Sequence, residues 1–145
     1  MVLQLIYWAA LGACLLYAFR RGGAPERLGI TIIAVGSILS VIVASGFAAR
    51  FRTVEWGILL VDVGVLIAFL AIALRTDRYW PLWAAGFHTI GVATHVATLA
   101  DPDVVSRAYA LAQGFWAYPM MIAVAIGTRN HQRRSRPPRR GSWRS

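Results

Sequence analysis

The chain has no lysine, a single cysteine and only six acids (Glu26, Glu55, Asp62, Asp77, Asp101, Asp103) in 145 residues. One cysteine, Cys14, excludes an internal disulfide framework and any metal site built from clustered thiolates. Leu11-Gly12-Ala13-Cys14 has the outline of a lipoprotein cleavage box. No positive residue precedes it, however, and the chain stays apolar through Phe19, so a retained first span is expected instead. Charge is scarce: 14% of residues are charged and 58% are apolar, where soluble domains run near a quarter and a half. There is no glycine-rich phosphate loop, no His-Glu-x-x-His and no local Ser/His/Asp elbow. No span carries a ladder of arginines. The balance is against an enzyme.

What the chain does have is long apolar runs. A bilayer core of ~30 Å needs about 20 apolar residues per helix, and five runs suit that length: 2–19, 28–49, 55–74, 79–100 and 102–127. The expected fold is an all-α integral membrane protein, a five-helix transmembrane bundle with short loops over residues 1–128. The first run is short and carries Gln4; were it interfacial, four spans would remain. Residues 129–145 form a basic tail. Pro25 and Glu26 suit the first turn of the second helix. Connections this short make consecutive helices antiparallel neighbours.

All fifteen basic residues are arginine, and the net charge is +9. In a soluble protein that would suggest nucleic acid. Here the arginines crowd the ends of the apolar runs, so nucleic acid is not expected as a partner. The loops around Arg20–Arg27 and Arg75–Arg78, together with the tail, hold twelve arginines, against three on the opposite side. By the positive-inside rule the tail is cytoplasmic and the N-terminus lies outside. The composition fits a bacterial inner membrane. Arg133, Arg134, Arg136, Arg139, Arg140 and Trp143 would rest on anionic headgroups or dock on an acidic partner surface.

Packed faces of membrane helices favour small and weakly polar residues. Ala84, His88, Gly91, His95 and Thr98 share one stripe of the fourth run, and Gly36 and Ser40 make a small pair on the second. Tyr109, Gln113, Trp116 and Met120 share a face of the fifth. These faces suit packing against a membrane-protein partner or a second copy.

Asp62 is the residue that packing does not require. It lies about two turns, or ~10 Å, inside its span, where charge is costly and usually faces a partner or water. If the third and fourth spans form a hairpin turning near Asp77, Asp62 is level with about Val92. That height falls between His88 and His95, so Asp62, His88 and His95 form the candidate intramembrane polar site. Two histidines seven apart on one helix cannot sandwich a haem, and ~10 Å along the axis is poor geometry for one zinc. No metal or other cofactor is expected. The first functional expectation is a non-catalytic accessory or structural subunit of a larger membrane complex. The alternative is a small oligomeric transporter or proton-coupled channel using Asp62 and the histidines. A haem- or quinone-binding redox subunit ranks third.

Overall fold

The computed structural model describes residues 2–46, 51–100 and 115–135. Among them every regular element is a helix: α1 Val2–Arg21, α2 Ala24–Gly46, α3 Phe51–Arg75, α4 Trp80–Ala100 and α5 Ala117–Ser135. The first four lie within a few residues of the apolar runs, because hydropathy and helix length are set by the same stretch of chain.

The first connection is two glycines long. Gly22 N–H closes the end of α1 on Ala18 O at 2.8 Å. Gly23 N–H donates to Glu26 Oε2 at 2.9 Å, so the acid in the first turn reaches back to the residue before its helix, as in a capping box. The α3–α4 connection begins with Thr76 Oγ1–H donating to Ile72 O at 2.9 Å.

The expected start of the fifth span at 102 falls among residues 101–114, outside the described part of the chain, and the helix departs from the expected span at its other end. The helix seen begins at Ala117, which puts Pro119 in its first turn. There the missing N–H costs nothing, whereas mid-helix it would break a hydrogen bond and clash with the preceding turn. At its other end α5 runs on to Ser135, eight residues past Gly127, so the start of the basic tail is helical. Thr128 is fully buried and donates to Val124 O at 3.0 Å, and Ser135 donates to His131 O at 3.0 Å.

The helices form a ring in chain order, with α1 against α5 closing it and α2 also touching α5. Its core holds Leu11, Ala18, Ile30, Phe69, Trp80, Met120 and Val124. Large apolar side chains cover the outside as well: Leu60 is 70% exposed, Ile67 61% and Leu74 87%. A surface of that kind suits lipid rather than water. Among the described residues three helices are long and apolar enough to cross a membrane: Val2–Arg21, Ala24–Ala44 and Trp56–Arg75. In α4 the histidines and threonines dilute the apolar run, and α5 turns polar at Thr128.

Candidate functional site

Two polar groups lie inside the ring, one toward each end. The first joins α3 to α4. Asp62 Oδ2 is 3.0 Å from His95 Nε2, and Asp62 Oδ1 is 3.9 Å from His88 Nε2. The His88 ring also sits 2.9 Å from the Asp62 backbone carbonyl. With a proton on Nε2, His88 donates to that carbonyl. The spacing of seven on α4 puts both imidazoles on one face, and the antiparallel hairpin brings Asp62 to their height. One carboxylate is therefore addressed by two rings from one direction.

Among the described residues, the other side of this group is open. It borders a cavity of about 600 Å³ between α1, α2, α3, α4 and the start of α5. That volume is in the range of small-molecule sites. Tyr7 and Ser37, joined hydroxyl to hydroxyl, face it from α1 and α2. Ser37 donates its own proton to Ile33 O at 2.8 Å, so Tyr7 O–H is the donor to Ser37. Trp116 also lines the cavity, and its indole N–H is buried with no hydrogen-bond partner among the described residues.

The packing residues are used within the chain. Gly36 faces Val65 of α3 so closely that a methyl group would overlap it, Ala84 is wholly buried, and Gly91 faces Trp116 across ordinary contact distance. Ser40 and Met120 line the cavity. The Thr98 side chain lies outside those described, as do Tyr109 and Gln113. The small residues thus mate with neighbouring helices of the same chain and do not by themselves call for a second protein.

The second group is at the arginine-rich end, and sequence reasoning missed it. Glu26 has no exposure at all. Besides the Gly23 N–H, it accepts a hydrogen bond from Trp80 Nε1 at 3.1 Å and stands 3.7 Å from Arg78 Nη1. Trp80 is gripped in turn: a methyl group on Gly29 of α2 or Gly127 of α5 would overlap its ring, and Phe69 meets it edge to face at 6.2 Å. Arg78 Nη2 is 3.4 Å from His131 Nδ1 on the extended part of α5. His131, within the stretch expected to be a basic tail, is a half-buried part of this end. The one legible signal was Glu26 three residues after Gly23. Nothing in the spacing couples residue 26 to residue 80.

Arg133 and Arg134 are exposed on the last turns of α5, while Arg136, Arg139, Arg140 and Trp143 lie outside the described residues. Among the described residues no group of three or more His, Cys, Asp and Glu side chains is placed to hold a metal ion. Comparison with family models, curated proteins and solved structures gives no match.

Proposed function

We propose that this chain is a five-span protein of a bacterial inner membrane, with its N-terminus outside, that moves protons together with a small solute through the cavity beside Asp62. The observation that carries this reading is the Asp62–His95 contact at 3.0 Å on the wall of a cavity about 600 Å³ in volume. A carboxylate at that depth is costly unless it is partnered, and one that is partnered on one face only is placed to exchange a proton. The rest of the wall suits a mostly apolar solute with a hydrogen-bond acceptor for Trp116. The cavity is bounded by one chain, so the reading needs no second copy. Packing between and beside α3 and α1 supports a membrane position for α4 and α5 as well. The twelve-to-three split of arginines supports the orientation.

The test is proton flux into liposomes loaded with a pH-sensitive dye under an imposed potential. Wild-type protein is expected to carry flux, Asp62→Asn to remove most of it, and His95→Gln to reduce it. Flux unchanged in Asp62→Asn overturns the assignment. A second reading, a non-catalytic accessory subunit, draws on the exposed Arg133 and Arg134 at the head of an arginine-rich tail, which match an acidic partner. Native mass spectrometry in mild detergent separates the two by showing a foreign chain or none. The redox reading is the weakest, since both histidines are turned to Asp62.

A further inference from the structure

Away from the Asp62 cavity, a second cavity of about 510 Å³ runs along the outer seam between α4 and α5 at the arginine-rich end. Its long walls are aromatic and aliphatic: Trp83 and Phe87, with ring centroids 6.5 Å apart, face Ile122 and Ile126. Its end is polar and positive, formed by Arg78, Asn130 and Arg134, and no acid among the described residues lines it. Arg78 Nη1 is buried there with no hydrogen-bond partner among the described residues; Glu26 lies behind it at an ion-pair distance of 3.7 Å. A groove that is apolar along its length and cationic at one tip is complementary to an anionic amphiphile.

Length decides which one. From Pro119 to Arg134 the groove follows α5 for about 22 Å at ~1.5 Å per residue. Half of a bilayer, with its headgroup layer, measures about 20–22 Å. A free phosphate would use only the tip and leave the aromatic wall uncovered. The remainder of the tail, 136–145, adds four more arginines and no acid, so its charge opposes seating in the same place.

We propose that this seam binds one anionic phospholipid of the cytoplasmic leaflet, its phosphate held by Arg78, Asn130 and Arg134 and an acyl chain laid along Trp83, Phe87, Ile122 and Ile126. The site rests on α4 and α5 lying in the membrane and is independent of proton flux at Asp62.

Native mass spectrometry of the full chain, released from mild detergent with equal phosphatidylglycerol and phosphatidylcholine, tests it. The expected result is one retained phosphatidylglycerol, preferred over phosphatidylcholine. Arg134→Gln should weaken retention about fivefold, the effect of one arginine at an anionic surface. Ile126→Trp, filling the groove from an exposed position, should also displace the lipid. Arg133→Gln is the control, because Arg133 is exposed on the same turn but does not line the groove. Equal loss in Arg133→Gln and Arg134→Gln overturns the site in favour of a diffuse basic surface. Equal retention of phosphatidylcholine, or displacement by inorganic phosphate at matched concentration, overturns it as well. Tighter lipid binding after deletion of residues 136–145 would make the tail the occupant and overturn the lipid assignment. Intact Asp62-dependent flux alongside any of these results would leave the proton pathway standing.

Discussion

Glu26 and Asp62 are both carboxylates inside an apolar ring, and they are handled in opposite ways. Glu26 is sealed: an indole N–H, a backbone N–H and an arginine converge on it, and its exposure is 0%. Asp62 has two histidines on one side and a cavity on the other, with 18% of its side chain exposed. The first arrangement leaves nowhere for a ligand or a proton to go and serves only to lock helices together. The second tolerates an incomplete shell, and that incompleteness is what a site requires. The residue that looks costly in the sequence is the accessible one. The residue that looks ordinary holds the end of the bundle shut.

The largest effect should come from breaking the sealed end. Glu26→Ala strands the Trp80 N–H and the Arg78 guanidinium, and loss of one partner from a buried pair costs about 3–5 kcal/mol. Glu26→Gln keeps an acceptor for Trp80 and should lose less. Thermal melting in detergent ranks the two, and equal, small losses would mean that Glu26 is no lock. Next comes Gly127→Ala, whose methyl group must push against the enclosed Trp80 ring; overpacking of this kind costs about 1–3 kcal/mol. Melting unchanged by that substitution would show this end to be looser than its contacts imply.

At the open end the expected effects are smaller. A double-mutant cycle of Asp62→Asn with His95→Gln should show a coupling of about 0.6–1.7 kcal/mol, the range measured for polar contacts between membrane helices. Additive losses would dissolve the pair. Least of all should come from Gly91→Ala, where the new methyl would meet Trp116 Cδ1 at 3.7 Å, an ordinary contact. A change within about 0.5 kcal/mol is expected. If Gly91→Ala costs as much as Gly127→Ala, the contrast between a tight end and a roomy end fails.

Much of the scaffold could be read from the chain. Apolar runs separated by arginines and glycines located α1 to α4, because span length and helix length are tied by the ~1.5 Å rise. The same rise carried Asp62 to the height of His88 and His95, since a short connection leaves an antiparallel hairpin little freedom of register. The end of α5 was not read correctly, and its expected start lies outside the described residues. The polar residues after Gly127 were taken for loss of helix, although arginine and glutamine are good helix formers. The Glu26 lock was not legible, because it depends on which helices adjoin around the ring, and no short-range rule fixes that. Gly36 and Gly91 pack within the chain: small residues report close packing without saying whose helix is close.

The closing of the ring by α1 against α5 bears on how the molecule is made. Cys14 Sγ approaches the Met121 carbonyl at 3.5 Å across 107 residues of chain, and Tyr7 meets Tyr118 edge to face. The two helices run parallel, so no hairpin can deliver one to the other; α1 must wait while everything between them is synthesised. At ~5–20 residues per second that interval is roughly 5–20 s. During it the face of α1 destined for α5, with Leu11 and Ala18 at its centre, has no partner from its own chain. The newborn first helix is therefore the part of this protein that waits longest for its final contacts, and the surfaces it shows at that stage are ones the finished bundle never exposes.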